Sequence, residues 1–272
     1  MKSTLSTLAV LLLAATVQTA DAATVMPHRA IYDLSLQRAN DGASLQSASG
    51  RLAFEIEGSS CEGYTVSFRM ATRYRPKEGE MTLIDTMTTS YEGPGSVDFR
   101  HQIKELIDGV VKDDHRVKMT RATPEAEGEG SVSSKPGEAF TVPAGALLPM
   151  QHQLRLMALG SQGGGRDSSI IFDGSDDGKS FRAISFVGKV KPPGSVARDL
   201  ANKAAEPLKA LSAYPTTVTY YGLEGNPETP EYQVSFDMYE NGVASGLVLD
   251  YGEFALSGTL TDLKMLEASD CP

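Results

Sequence analysis

The chain has 272 residues, and its 35 Asp and Glu against 25 Lys and Arg give a formal charge of −10. With no dense basic run, that balance excludes nucleic acid and anionic membrane surfaces as partners, because both are bound through clustered Lys and Arg. A hydrophobic content of 40% supports a real core, and the absence of Trp with 26 Gly suits short strands joined by tight turns.

Residues 1–22 read as an export signal. Lys2 is the positive n-region, Leu5 to Val17 an uncharged apolar stretch, and Ala20-Asp21-Ala22 a small-x-small site with cleavage expected after Ala22. That stretch is too short to span a bilayer, which takes about 20 residues, and the first cysteine, Cys61, lies too far on for a lipoprotein signal. The expectation is a soluble periplasmic protein, not membrane-spanning, with residues 23–272 as a single domain. Its two cysteines, Cys61 and Cys271, are then expected to form one disulfide, since an oxidising compartment preserves such bonds. The closed loop would hold about 210 residues and destabilise the unfolded chain by roughly 5 kcal/mol.

Period-2 alternation begins at once. Ala30, Tyr32, Leu34 and Leu36 share one face, then Leu52, Phe54 and Ile56, then Tyr64, Val66, Phe68 and Met70. Weaker runs at 81–91, 97–103 and 110–119 carry polar residues on the other face, as in an antiparallel sheet with one wet side. The polar stretch 121–137 reads as a loop with one edge strand. Pro149 to Leu159 reads as a helix, with Met150, Leu154, Met157 and Ala158 on one face and Pro149 suited to its first turn.

Strands are expected again at 168–172 and 180–189, joined by the turn-rich Asp173-Gly174-Ser175-Asp176-Asp177-Gly178. A partial helix interrupted by Pro207 is expected within 195–212. Strands at 216–221, 231–239, 244–251 and 253–263 follow, with Asn241-Gly242 favouring a type I′ hairpin turn. About a dozen strands and one or two helices imply a mainly β fold, a single large antiparallel sheet curled into a barrel-like or spiral form. The first and last strands are expected to be its opening, with the cysteine pair as the clasp.

Signatures of chemistry are sparse. The four histidines, at 28, 101, 115 and 152, show no metal-ligand spacing, so no metal is expected; His152, on the predicted helix, is the candidate helix site. The run from Asp173 to Gly178 begins like a calcium loop, but its twelfth position is Ile184 where a bidentate Glu is needed, and a solvated turn is the simpler account. Serine-nucleophile, phosphate-loop and dinucleotide motifs are absent, so no cofactor is expected. The stripes Tyr64/Val66/Phe68/Met70 and Tyr232/Val234/Phe236/Met238 are candidate cavity linings for an acyl chain or apolar peptide, with β-core as the plainer reading.

Four stretches in this order, HRAIYDLSL (28–36), GRLAFEIEGSSCEGYTVSFRM (50–70), LPMQHQLRLMALG (148–160) and FDGSDDGKSF (172–181), with the terminal cysteine, resemble the EipB family of periplasmic envelope-integrity proteins. The resemblance implies a monomeric spiral-like β fold, a disulfide between Cys61 and Cys271, and an architecture similar to the LolA and LolB lipoprotein carriers. The family supplies no catalytic residues to carry over, and Leu148 stands where other members have Phe. The leading expectation is a non-enzymatic protein that supports the envelope by binding a lipid, a lipoprotein or a periplasmic protein partner. The alternatives are an envelope-polymer hydrolase with a carboxylate pair assembled by the fold, and a structural module that pairs through an edge strand.

Overall fold

The computed structural model describes residues 24–224, 228–269 and 271, so the expected export signal and its expected cleavage site lie outside the described residues. Two antiparallel meanders account for the architecture. The first runs through β1 (His28–Ala39), β2 (Leu45–Ser59), β3 (Gly63–Pro76), β4 (Thr82–Glu92), β5 (Asp98–Ile107), β6 (Val110–Arg121), β7 (Gly128–Val132) and β8 (Ala139–Val142). Helix α1 (Pro149–Ser161) follows, and the second runs through β9 (Gly165–Ile171), β10 (Phe181–Val187), β11 (Ala213–Gly222), β12 (Tyr232–Tyr239), β13 (Ala244–Asp250) and β14 (Phe254–Met265).

Among the described residues these form one 14-stranded sheet, ordered β8 to β1 and then β14 back to β9. The alternation predicted from sequence governs burial: in β1, His28, Ala30, Tyr32 and Leu34 are buried while Arg29, Asp33 and Ser35 face out. Bulges interrupt the register at Ile31/Tyr32 and Leu36/Arg38 in β1–β14, and at Ser235/Asp237 in β12–β13. Each bulge sharpens the local right-handed twist, and a sheet this wide curls.

The expected opening is corrected. β1 and β14 are neighbours, paired from His28↔Met265 to Ala39↔Phe254 in the interior of the sheet. The free edges are β8 and β9, strands from the middle of the chain. The disulfide joins Cys61, in the β2–β3 turn, to Cys271 beyond β14, with Cα atoms 5.8 Å apart. It fastens the C-terminal tail and does not close the sheet.

The two edges meet through side chains and the segments around them. The chain entering α1 lies along β9, where Leu147 N donates to Ile170 O at 2.8 Å and Phe172 N to Leu147 O at 2.9 Å. Phe140 of β8 meets Phe172 at 5.5 Å between ring centroids. The β9–β10 hairpin presses on the same ring: a Cβ on Gly178 would stand 2.4 Å from Phe140 Cδ1. Asp177 of that hairpin pairs with Lys135, before β8, at 2.9 Å.

Three smaller expectations also change. The polar stretch 121–137 holds the single edge strand expected of it, β7, whereas β8 just beyond it is a strand the sequence reading lacks; four residues following a polar run carry too little periodicity to read. Residues 195–212 form only the four-residue α2 (Ala197–Leu200) and a 3-10 turn, Lys203–Leu208, that contains Pro207. Asn202 breaks the helix by accepting from Ala204 N at 3.0 Å and donating to Leu260 O at 2.8 Å. At the β12–β13 hairpin Gly242 has φ 86 while Asn241 is not among the positive-φ residues. Gly242 N bonds Tyr239 O and Tyr239 N bonds Val243 O, the pattern of a type I turn with a glycine bulge rather than type I′.

Candidate functional site

Helix α1 lies inside the curl of the sheet. Of the expected apolar face, Met150 and Met157 are buried, joined by Leu156, in a cluster with Ile171, Val218 and Met238, while Leu154 packs against that cluster half-buried. Its first turn is fixed by charged groups from the first meander. Leu148, at the helix entrance, offers no side-chain acceptor, and the carboxylate of Glu92 takes that role, accepting from Met150 N at 2.9 Å and from Ser96 Oγ at 2.7 Å. Gln151 Oε1 accepts from Leu148 N, and Arg121 donates to Gln151, Ala146 O and Ser96 O. Burial pushes the Glu92 carboxyl above its usual range and the Arg121 guanidinium below its own.

Beside the helix a cavity of about 410 Å³ remains. Phe54, Phe68, Val234, Phe236 and Leu249 face into it and stay only half-buried, so its wall is apolar and partly accessible. The polar groups on it are mostly engaged. His28 Nδ1 donates to Met26 O at 2.7 Å, Tyr32 OH to Ala244 O at 2.7 Å, and Gln153 Nε2 to Gly242 O at 3.1 Å. His152 Nε2 lies 3.1 Å from Ser185 Oγ and 3.9 Å from Asp167 Oδ2. Burial holds His152 down to about 4, against the pull of Asp167, and lowers His28 as well, so both rings are neutral at pH 7.

Asp173 is the carboxylate among the lining residues. The run that resembles a calcium loop folds as a tight turn here, with Asp173 Oδ1 accepting from Ser175 N at 2.9 Å and Ser175 Oγ at 2.7 Å. Asp176 pairs with Lys179 at 3.0 Å. Tyr220 stacks on Tyr232 at 4.5 Å near Asp173, and burial with that charge pushes both phenols up.

The two aromatic stripes divide. Phe68, Val234, Phe236 and Met238 line the cavity. Tyr64 and Val66 pack in the cluster beneath α1, Met70 packs against a second cluster built around Tyr32 and Leu260, and Tyr232 lies against Tyr220. His152 lines the cavity from the helix. His28, Tyr32, Leu52, Phe54 and Asp173 line it too, and sequence reasoning did not single out the first four as site residues. Their alternation marks the inward face, which was the available signal; which inward positions adjoin open space depends on how the curl is filled.

The sequence and the fold have counterparts in known proteins. The chain is 31% identical over 252 residues to the cell envelope integrity protein EipB of Brucella abortus (strain 2308), covering 91% of this chain and 87% of that one. It superposes with a TM-score of 0.80 and 26% identity on the crystal structure of a beta-barrel-like protein of unknown function from Brucella abortus, covering 90% of this chain and 100% of that one. The EipB-like family description matches residues 19–267, and the chain belongs to the EipB-like family.

Proposed function

We propose that this chain is an exported, non-enzymatic periplasmic protein that supports envelope integrity by holding an apolar ligand, such as the acyl part of a lipid or lipoprotein, in the cavity beside α1. The observation that carries this reading is the half-buried apolar wall of Phe54, Phe68, Val234, Phe236 and Leu249 around about 410 Å³. That volume lies in the range of small-molecule sites, about 300–1,000 Å³, and well above the roughly 150 Å³ that takes a benzene ring. The Brucella relative's name supplies the envelope role. The Cys61–Cys271 bond and the export signal at residues 1–22 support the periplasm. Among the described residues no helix is long and apolar enough to cross a membrane. One lining carboxylate, Asp173, favours binding over the paired acid and base that a polymer hydrolase needs.

Native mass spectrometry of the protein purified from periplasm, with lipid extraction, tests the reading. A co-purifying apolar ligand, reduced in amount in Val234→Phe where the larger ring narrows the cavity, is the expected result. The absence of both a co-purifying ligand and binding of an uncharged fluorescent apolar probe would sink it.

A further inference from the structure

Resting on the cavity reading above, we propose that the cavity takes single-chain amphiphiles with cationic or uncharged heads and discriminates against anionic ones. Among the described residues its lining includes neither Lys nor Arg, and its acidic side chain is Asp173. That carboxylate is half-buried just beyond β9, close to the half-buried Tyr220 and Tyr232. An ammonium or hydroxyl head on a chain lying against Phe68, Val234 and Phe236 can reach this acceptor. A carboxylate or phosphate head there meets like charge and no counter-ion, and burying an unpaired anion is costly.

Three features that could favour an anion are already neutralised. The N-terminus of α1, where Pro149 touches the cavity, would attract negative charge, but Glu92 occupies its free N–H at Met150. Nearby cations are committed elsewhere: Arg121 to Ser96 O, Ala146 O and Gln151, Arg155 to Asp167 at 2.5 Å, and Lys191 to Asp237 at 2.6 Å. The two lining imidazoles, His28 and His152, are kept uncharged at neutral pH by burial. Asp173 is therefore the charged side chain on the wall itself, and Asp199, acting on the lining Tyr32 from behind, adds to the field in the same sense.

The test uses the full mature chain with its disulfide intact and displacement of uncharged N-phenyl-1-naphthylamine at pH 7 and low salt. The competitors are dodecylamine, dodecanol and laurate, which share one tail, each below its micelle concentration. The amine should displace the probe at a concentration about tenfold or more below laurate, with the alcohol between them, and the gap should narrow as salt is added. Asp173→Asn, which keeps the side-chain acceptor for Ser175, should narrow the amine-to-laurate ratio severalfold. Asp176→Asn, on the same hairpin but outside the cavity wall, should leave that ratio in place. Laurate binding as well as or better than the alcohol, or a ratio indifferent to Asp173→Asn, overturns the proposal while leaving a binding cavity standing. Failure of the probe and all three competitors to bind overturns the cavity reading and this inference with it.

Discussion

Glu92, the last residue of β4, accepts a hydrogen bond at 2.9 Å from the backbone N–H of Met150, 58 residues further along the chain. One carboxylate thereby fixes where the inner helix begins and ties it to the first meander. Loss of a helix cap costs about 0.5–2 kcal/mol, and leaving buried donors unsatisfied adds about 1–3 kcal/mol. Glu92→Ala should lower unfolding free energy by about 2–3 kcal/mol in urea titrations. Because burial raises this carboxyl's pKa in the native state, the native form holds its proton more tightly, and the group's contribution to stability falls as pH rises from the unfolded value through the folded one. The stability of wild type relative to Glu92→Gln should therefore be greater at pH 4 than at pH 7.

His152 should show the opposite slope. Its ring is held at about 4 by burial, against an ordinary 6.5, so unfolding takes up a proton between those values. Stability is fully present above pH 6.5 and is lost as pH falls towards 4, by at most about 3 kcal/mol. His152→Gln, which cannot titrate, should flatten the dependence of melting temperature on pH over that interval. An equally steep dependence in the variant would assign it to other groups.

The disulfide should matter for stability and not for the cavity. Cys61→Ser, Cys271→Ser and the double variant should each lose about 2–5 kcal/mol in the oxidised preparation, and proteolysis should begin in the tail after Met265. Binding of the uncharged apolar probe should survive in all three, because the bond lies at the β2–β3 turn and the cavity wall does not include either cysteine.

The contact between the two free edges should be sensitive at Gly178. Its φ of 91 disfavours any side chain, and a Cβ there would press on Phe140 of β8. Gly178→Ala should cost about 2 kcal/mol and speed hydrogen exchange in β7, β8 and the β9–β10 hairpin. Exchange unchanged in those segments would show that the edges hold together without this contact.

How much could be read without the fold is clearest at particular residues. Alternation placed Phe68, Val234 and Phe236 inside, and the same rule placed Tyr64 and Val66 inside, yet the first three border the cavity while the latter two lie under α1. Periodicity reports the face of a strand and nothing about what stands opposite. Asp173 was visible as part of an acidic turn, but its place on the cavity wall depends on the hairpin folding back across the sheet's edges.

The strands, the inner helix, the mainly β class and the identity of the disulfide pair were determined by the sequence, since each rests on local spacing or on there being only two cysteines. Tertiary structure alone decided that β1 and β14 lie side by side, that β8 and β9 form the edges, and that Glu92 caps α1. Strand order is set by pairings between residues far apart in the chain, and those depend on how two meanders curl around one helix, a choice that no local period encodes.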